Sequence, residues 1–333
     1  MKIIIIGNGA WGTALAIHFS KRHDTILISR NQRENEKLIC DNENKRYLPG
    51  FPFPQTLKLQ PMETIEANLE DREIVILATP VGFIHSTLAT LANYRTNHLS
   101  WLIASKGFET ETELLPHQLV ARHFPNNKRI AVLSGPTFAQ EVAAGLPCAI
   151  CLSSQYAAWV QILAQKLNDC TMKIYTNVDP IGTAVGGAVK NIIAIASGFC
   201  DGKQMGNNAR AALITRGLAE MTRLALALGA KEETLYGLSG VGDLILTCTG
   251  KLSRNRQVGL ELAKGKQIGE ILEQLGHISE GINTLEVVLK VARRHQVEMP
   301  VAELLSWLLS GQVKADQVTE ILMHRIPKME KVS

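Results

Sequence analysis

Cysteine is scarce in the sequence, and its arrangement argues against a metal centre. The 333 residues contain 6 cysteines, of which Cys148 and Cys151 have C-x-x-C spacing in an apolar stretch that predicts a strand. Residues three apart on a strand point to opposite faces, and no second C-x-x-C completes a zinc site. The 9 histidines show no H-E-x-x-H spacing. We therefore expect no metal, and we interpret the cysteines as buried structural thiols in a reducing, cytoplasmic compartment.

A strong charge of either sign is also missing. The 35 Lys and Arg residues against 31 Asp and Glu residues leave a net charge of +4, which is too mild and dispersed to favour a nucleic-acid partner. The first residues lack the basic start, apolar core and small-residue cleavage site of a secretory signal. With 46% hydrophobic and 20% charged residues, the chain is expected to form a packed globular protein of about two domains.

The beginning of the chain carries the pattern of a dinucleotide-binding turn. A β-branched run, Ile3 to Ile6, ends at Gly7, and the pattern Gly7-x-Gly9-x-x-Gly12 leads into an apolar-periodic segment, Trp11 to Phe19. In this pattern the glycines permit the sharp turn, the approach of backbone to a diphosphate, and close helix–strand packing. The diphosphate would bind the N–H groups of the helix N-terminus. An ordinary strand–helix turn is the alternative.

Strands and helices alternate through the first half of the chain, which is typical of an α/β sheet. Asn31 to about Asp71, rich in polar residues and proline, is expected to be a loop with short elements. From Pro180 onward the periodicity is helical, so we place a boundary near Asp179, with a Rossmann-like α/β domain at 1–179 and an all-α domain at 180–333. Further strands are predicted at Thr25–Ser29, Glu73–Ala78, Leu99–Ala104, Arg129–Ser134, Pro147–Ser153 and Met172–Tyr175, with a helix over about Gln155–Leu167.

Two arginines follow the second predicted strand, where many NAD-binding folds place an acidic residue against the ribose 2′-hydroxyl. The chain reads Ser29-Arg30-Asn31-Gln32-Arg33 there. Arg30 or Arg33 could contact a 2′-phosphate, which makes NADP as plausible a cofactor as NAD. Two surface arginines are the alternative.

Two further strand ends carry candidate ligand contacts, because doubly wound sheets bind ligands at the carboxyl ends of their strands. Lys106 follows the strand that ends near Ala104 and could bind an anionic substrate, or it is a solvated loop lysine. Thr137, with Gln140 three residues later, predicts a capping box at the start of a helix. Capping alone would explain Thr137.

Lys190 stands in an otherwise apolar helix predicted over Ile181 to Cys200. The length is near that of a membrane span, but a central charge is costly in lipid, so we expect a buried helix in a globular domain. A buried ammonium must be paired or have a lowered pKa, and a lowered pKa suits a general acid or base. The neighbouring Asn191 could hold a hydroxyl or carbonyl group. A lysine whose head reaches the surface is the alternative.

Three polar clusters follow in the helical half. Asp243 ends a glycine-rich stretch and either caps the next helix or pairs with Lys190. Ser253 is a good N-cap, and with Arg254 and Asn255 it forms either a phosphate-binding helix start or a capped surface helix. Glu280 begins a helix that runs to about Arg294, and its charge favours that N-terminus without any ligand.

Seven motifs follow one another along the chain: GNGAWGTALA (7–16), ATPVGF (78–83), SKGFE (105–109), SGPTFAQE (134–141), GGAVKNIIAIASG (186–198), GLSGVGDLILTC (237–248) and SRNR (253–256). Together, and over nearly the whole chain, they resemble the bacterial type of NAD(P)-dependent glycerol-3-phosphate dehydrogenase.

The resemblance implies reduction of dihydroxyacetone phosphate to sn-glycerol 3-phosphate with NADH or NADPH, for glycerophospholipid synthesis. It implies that Lys190 is the catalytic acid or base, and that the nicotinamide is held by one domain and Lys190 comes from the other. Implied substrate contacts are Lys106, Gly135, Thr137, Lys190, Asp243, Ser253, Arg254 and Asn255. Implied cofactor contacts are Gly7, Gly9, Ala10, Trp11, Gly12, Arg30, Lys106, Ala139, Arg254, Ile278 and Glu280.

The chain departs from the family at a few positions. Ala10 stands where serine is frequent, Ser29 where an aromatic residue is frequent, and Thr137 where serine also occurs. Two other functions stay open: a dehydrogenase for an unphosphorylated hydroxy or keto acid, which would need a carboxylate clamp, and a nucleotide-sensing protein without catalysis. The apolar helical half makes a homodimer plausible. We expect a small phosphorylated substrate as the partner molecule, and we do not expect the chain to span a membrane.

Overall fold

The chain folds into two compact units in a computed structural model that describes residues 1–275, 280–318 and 321. The first unit contains Met1–Glu109 and Leu114–Pro180, and the second contains Thr110–Glu113 and Ile181–Ser333. This division differs from the sequence boundary at Asp179 by Pro180 and by the short segment Thr110–Glu113, which the chain contributes to the second unit from within the first.

An eight-stranded sheet forms the centre of the first unit, in the order β10-β9-β8-β7-β6-β1-β2-β5. Its neighbouring strands are parallel except for the antiparallel pair β8 and β9, while β3 and β4 form a separate antiparallel pair. The strands are β1 (Lys2–Ile6), β2 (Asp24–Ser29), β3 (Glu43–Asn44), β4 (Leu48–Pro52), β5 (Leu57–Pro61), β6 (Ile74–Leu77), β7 (Ser100–Ile103), β8 (Ile130–Ser134), β9 (Cys148–Ser153) and β10 (Met172–Asn177).

The isoleucine run at the start of the chain forms the strand with a buried core on each face. Ile3 and Ile5 belong to one apolar cluster, and Ile4 and Ile6 belong to the other. A strand covered on both faces reads as a continuous apolar run rather than an alternating one, which explains the composition of β1. Because β1 lies between β2 and β6, the chain turns to opposite sides of it, and ligands bind at such switch points in α/β sheets.

The expectation of a loop with short elements over residues 31–71 fits the short strands and the short helix of that stretch but is wrong at its start. A ten-residue helix follows Asn31, whose side-chain oxygen accepts a hydrogen bond from the backbone N–H of Glu34 at 2.9 Å. This helix buries only Asn35 and Leu38, so its sequence shows little apolar periodicity. The first unit's helices are α1 (Ala10–Ser20), α2 (Gln32–Asp41), α3 (Ile65–Leu69), α4 (Ile84–Leu91), α5 (Pro116–His123), α6 (Ala139–Ala143) and α7 (Ala157–Leu167).

Two smaller expectations are also wrong. Thr137 does not cap a helix, because α6 begins at Ala139 with Phe138 as its N-cap, and the Thr137 hydroxyl donates to the Gly135 carbonyl at 3.2 Å. Not all cysteines are buried: Cys40 and Cys170 are exposed. Both lie outside the strands and core helix faces that the apolar pattern identifies.

The second unit is helical, and none of its described residues lies in a strand. A π-helical turn at Leu238–Gly242 precedes the fourth of its helices. The helices are α8 (Pro180–Gly202), α9 (Gly206–Ala227), α10 (Glu232–Leu235), α11 (Asp243–Thr249), α12 (Arg254–Ala263), α13 (Ile268–Leu275), α14 (Glu280–Arg294) and α15 (Pro300–Leu309). The α/β and all-α fold classes predicted from the sequence are therefore confirmed.

Helix α8 is packed against its neighbours through glycine contacts between backbones. A Cβ atom at Gly186 would lie 2.3 Å from the Ser239 carbonyl oxygen, and one at Gly198 would lie 1.9 Å from that of Arg256. From the other side, a Cβ atom at Gly259 would lie 1.9 Å from the Ile195 oxygen. The helix is long and apolar enough to cross a membrane by composition, but its apolar window is wholly buried within the protein, as expected for a core helix.

Candidate active site

One edge of the sheet gathers the candidate residues of the first unit. Strands β1, β2, β6, β7 and β8 are mutually parallel, so their carboxyl ends lie along the same edge. Gly7 follows β1, Arg30 follows β2, Lys106 lies just beyond β7, and Gly135 follows β8. The structure therefore brings these four strand ends to one edge of the sheet.

The three glycines of the first turn have different surroundings. Gly7 has a φ of 113°, and a Cβ atom there would lie 2.8 Å from the Ala78 backbone. A Cβ atom at Gly12 would lie 1.9 Å from the Gly7 oxygen, which requires glycine for close helix–strand packing. At Gly9 a Cβ atom would meet nothing within 4 Å among the described residues. Gly7 and Gly12 thus serve the fold, while the space beside Gly9 is open.

This open space fits the diphosphate of a dinucleotide. Gly9 is the N-cap of the eleven-residue helix α1, and the first N–H groups of a helix have no acceptor within it. Such a helix start attracts an anion through its N–H groups and its dipole. Gly9, Ala10 and Trp11 present this N-terminus, so the residues of the turn are suited to hold NAD or NADP.

The residue after β2 has a contact that the sequence did not indicate. The Arg30 guanidinium lies 5.9 Å from the centre of the Phe83 ring, in a cation–π arrangement. Both side chains are exposed, with Phe83 at 48% of its full accessibility. A flat aromatic ring beside a cation at this edge is suited to bind the adenosine end of a dinucleotide.

The remaining candidates of the first unit lie in loops at the same edge. Lys106 is partly exposed, and the preceding Ser105 hydroxyl donates to the Thr79 carbonyl at 2.6 Å, which ties this loop to the one after β6. Gly135 is buried with a φ of 155°, and a Cβ atom there would lie 3.0 Å from the Ile150 Cα. Ala139 is the first residue of α6.

The second unit contains a buried charged cluster around Lys190. Lys190 is 6% exposed and Asp243 is fully buried. The Lys190 Nζ donates to the Asp243 Oδ1 at 2.5 Å and to the Thr247 Oγ1 at 3.1 Å. Of the two roles that the sequence left open for Asp243, the structure shows the pair with Lys190. Capping of α11 is not the role of Asp243, since Gly242 occupies the N-cap position.

Thr247 is a member of this cluster that the sequence analysis missed. Its hydroxyl donates to the Asp243 carbonyl at 2.6 Å and accepts from Lys190. The spacing of four residues between Asp243 and Thr247 places both on one face of a helix, and that spacing was the available signal. The hydroxyl holds the lysine head from a second direction.

A buried thiol adjoins the cluster without taking part in its hydrogen bonds. Burial raises the pKa of Cys248 to about 12, although the Lys190 charge acts in the opposite direction. The Cys248 side chain is therefore a protonated thiol at neutral pH, and it does not add a second negative charge beside Asp243.

The start of α12 is held against α8 by side-chain amides and an ion pair. The Ser253 Oγ accepts from the Arg256 N–H at 3.2 Å, which confirms the predicted N-cap. The Asn255 Nδ2 donates to the Asn191 Oδ1 at 3.0 Å, next to Lys190 in the chain. Arg256 binds Asp201 of α8 with two hydrogen bonds, at 2.6 and 2.9 Å.

Arg254 is exposed at this helix start, so its guanidinium and the orphan N–H groups of α12 form a suitable anion site. Glu280 begins α14, and the Asn255 Oδ1 accepts from the N–H of Gly281 at 3.3 Å. Ile278, which the resemblance places at the cofactor, lies outside the described residues.

Both halves of the chain match one enzyme family. Residues 2–160 match the family described as NAD-dependent glycerol-3-phosphate dehydrogenase N-terminus, and residues 179–320 match its C-terminus. A glycerol-3-phosphate dehydrogenase (NAD(P)+) of Neisseria meningitidis serogroup A is 49% identical, covering 99% of this chain and 100% of the relative. That of Aromatoleum aromaticum is 46% identical, with coverage of 99% and 100%.

A solved structure shows the same likeness in three dimensions. The crystal structure of glycerol-3-phosphate dehydrogenase from Coxiella burnetii is 37% identical, covers 97% of this chain and 99% of its own, and has a TM-score of 0.91. The matches extend over the sheet edge with the glycine turn and over the helical unit with the Lys190 cluster. The chain therefore belongs to the NAD-dependent glycerol-3-phosphate dehydrogenase family.

Proposed function

We propose that the protein reduces dihydroxyacetone phosphate to sn-glycerol 3-phosphate with NADH or NADPH, and so supplies glycerophospholipid synthesis. The observation that carries the proposal is the buried Lys190–Asp243–Thr247 cluster, in a chain that belongs to this dehydrogenase family. A buried lysine that donates to a carboxylate and to a hydroxyl group is a suitable proton donor for a carbonyl that is being reduced.

The cofactor would be held by the first unit's glycine turn and its neighbours. When bound, the reduced nicotinamide supplies the hydride that the ketone carbon receives. The N–H groups of α1 would bind the diphosphate, and Arg30 would contact the adenosine end, including the 2′-phosphate of NADPH. The proposed contacts are Gly7, Gly9, Ala10, Trp11, Gly12, Arg30, Lys106, Ala139, Arg254, Ile278 and Glu280.

Lys190 acts on the oxygen of the ketone. As negative charge develops on that oxygen, the ammonium stabilises it and transfers one proton from Nζ to form the alcohol. Asp243 and Thr247 keep Nζ in one orientation during this transfer, because each accepts a hydrogen bond from it. The neutral amine regains its proton from water after the product leaves.

The phosphate of the substrate is proposed to bind at the start of α12. Arg254 supplies a charged donor, and the Ser253-capped turn supplies the helix N-terminus of a ten-residue helix. Binding energy at the phosphate, which does not react, orients the ketone carbon for reduction. Lys106, Gly135, Thr137 and Asn255 are the other proposed substrate contacts.

The proposal is tested by oxidation of NADH and NADPH with dihydroxyacetone phosphate and, in parallel, with unphosphorylated dihydroxyacetone. We expect turnover with the phosphorylated ketone and at least about 100-fold lower kcat/KM without the phosphate, since about 3 kcal/mol of charge-assisted hydrogen bonding is lost. In Arg254→Ala that preference should collapse, while Arg293→Ala, an exposed arginine of the same unit, should keep it. Turnover with a hydroxy acid instead would support the alternative dehydrogenase, and binding without turnover the sensing protein.

We also propose that the protein is a cytoplasmic homodimer. Its cysteines are free, which suits a reducing compartment. Large apolar side chains are exposed on the second unit, namely Leu226, Tyr236, Ile245, Leu252 and Trp307. Light scattering after size exclusion distinguishes a dimer from a monomer.

A further inference from the structure

We infer that Asn44 is a positioning residue for the dinucleotide: it fixes the peptide between Asn8 and Gly9 in the orientation that the diphosphate requires. The inference rests on the proposed cofactor site. Asn44 lies in the short strand β3, outside the main sheet, and only 2% of it is exposed. Its position in the sequence gives no sign of a role at the cofactor site. The role follows from its hydrogen bonds.

The Asn44 side chain uses both of its donor hydrogens on the glycine turn. Its Nδ2 donates to the Asn8 carbonyl at 2.7 Å and to the Thr13 Oγ1 at 2.8 Å. Its Oδ1 accepts from the backbone N–H of Tyr47 at 3.2 Å, within the β3–β4 hairpin. The Oδ1 contact with an N–H donor leaves the amide one orientation, with the NH₂ group toward the turn.

The Thr13 hydroxyl completes a closed set of hydrogen bonds. It accepts from Asn44 and donates to the Asn8 carbonyl at 3.3 Å. The Thr13 N–H donates to the Gly9 carbonyl at 2.9 Å. The carbonyl groups on either side of the Gly9 Cα are therefore both held by hydrogen bonds from within the first unit.

Holding the Asn8 carbonyl also sets the direction of the next N–H group. In a planar trans peptide the C=O and the N–H point in opposite directions. With its carbonyl directed at Asn44, the Asn8–Gly9 peptide must turn the Gly9 N–H away from Asn44. A peptide plane set before the ligand arrives lowers the ordering cost of binding, and Gly9 by itself would not supply this because glycine is conformationally permissive.

Asn44→Asp is the sharpest test, because it keeps the shape and the Oδ1 acceptor but replaces both N–H donors with an oxygen. We expect the Kd of NADPH and of NADH, from calorimetry without substrate, to rise about tenfold, the factor that corresponds to one hydrogen bond to a buried carbonyl. The KM of the cofactor should rise in parallel. The kcat at saturating cofactor and the KM of dihydroxyacetone phosphate should stay within about twofold, since Asn44 does not act on the substrate.

Asn127 offers a matched control in the same unit. Its Nδ2 donates to the Leu99 carbonyl at 2.8 Å, its Oδ1 accepts from the Arg129 N–H at 2.9 Å, and it is 6% exposed. It therefore braces a loop with the same chemistry, away from the glycine turn in the chain. Asn127→Asp should lower the thermal midpoint as Asn44→Asp does and leave the Kd of both dinucleotides unchanged.

If Asn44→Asp does not fold, Thr13→Val is the second test. It removes the hydroxyl that accepts from Asn44 and donates to the Asn8 carbonyl. The Kd of the dinucleotides should rise by about threefold, less than in Asn44→Asp, because the direct bond from Asn44 to the Asn8 carbonyl remains. An unchanged Kd in folded Asn44→Asp or Thr13→Val protein overturns the inference, as does an equal rise in Asn127→Asp. If the unaltered protein binds neither dinucleotide, the proposed cofactor site itself is wrong.

Discussion

The two candidate binding regions differ in the groups that form them: backbone groups in the first unit and charged side chains in the second. The glycine turn of the first unit depends on backbone groups and on missing side chains, with open space beside Gly9. The Lys190 cluster of the second unit depends on buried side-chain charges, with Asp243 fully enclosed. A change beside Gly9 can remove proposed ligand contacts with little effect on the fold, whereas each member of the Lys190 cluster is a proposed part of the chemistry and also part of the core.

The largest effect is expected from Lys190→Ala, which removes the proposed proton donor. Turnover of dihydroxyacetone phosphate should fall by about 10³-fold, within the range for general acid catalysis, while the Kd of NADPH stays near its normal value. Lys264→Ala, at a side chain with 60% exposure, is the control. Near-normal turnover in Lys190→Ala would show that Lys190 is not the proton donor and that the second region, like the glycine turn, only binds ligand.

The next effect concerns stability. Asp243→Asn leaves the Lys190 ammonium buried without its carboxylate and should lower the free energy of unfolding by about 3 kcal/mol, as for other broken buried pairs. Urea titration measures this change. In the double variant Lys190→Met with Asp243→Leu most of the stability should return, because this cluster then contains no unpaired charge. The activity should not return. A stable, active Asp243→Asn enzyme would show that the pair serves neither role.

The first unit also contains a buried titratable group, His117, whose protonation should make the stability of this unit depend on pH. Burial lowers the pKa of His117 from 6.5 to about 4, with Asp179 acting in the opposite direction. Between these pH values His117 is protonated in the unfolded chain but not in the folded chain. The free energy of unfolding that depends on His117 is therefore fully present above pH 6.5 and falls as the pH decreases toward 4. The loss at this residue amounts to about 3 kcal/mol.

The measurement is urea unfolding across that pH range. His117→Leu should flatten the acid limb, whereas His295→Leu, at an exposed histidine, should not. An unchanged slope in His117→Leu would assign the acid sensitivity to other groups.

The smallest effects separate two glycines of the same turn. Gly12→Ala places a Cβ atom 1.9 Å from the Gly7 oxygen and should cost about 2 kcal/mol of stability by overpacking. Gly9→Ala meets no described atom, and its φ of −68° suits alanine, so stability should change by less than about 1 kcal/mol. The Kd of this variant for NADPH should nevertheless rise, because the added methyl group enters the open space in which the diphosphate is proposed to bind. Thermal melts with and without NADPH distinguish the two, and equal destabilisation would contradict the assignment of separate roles.

The two regions also differ in how far their residues could be predicted from the sequence. The glycine turn was predictable because its pattern is local: a strand, three spaced glycines and a helix follow one another within twenty residues. The fold of each half followed from apolar periodicity in the same way. The Lys190 pair could only be left open, since Asp243 lies 53 residues away in the chain and nothing local selects pairing over capping.

Other features escaped because tertiary contacts, not local pattern, decide them. Helix α2 buries two residues and therefore looks like loop sequence. The Thr137 hydroxyl bonds within its own turn rather than to a helix N–H, a competition that residue type alone does not decide. The role inferred for Asn44 could not be predicted from the sequence either. It depends on hydrogen bonds to Asn8 and Thr13, which lie more than thirty residues earlier in the chain.

The glycine contacts of α8 have a practical consequence for protein engineering. Replacing helical glycines with alanine is a common route to thermostability, but at Gly186, Gly198 and Gly259 it would push apart helices whose backbones touch. Gly269 in α13 is different, since a Cβ atom there meets nothing within 4 Å among the described residues. Gly269→Ala is therefore the substitution with which a more heat-resistant enzyme should begin, while α8 and α12 keep their glycines.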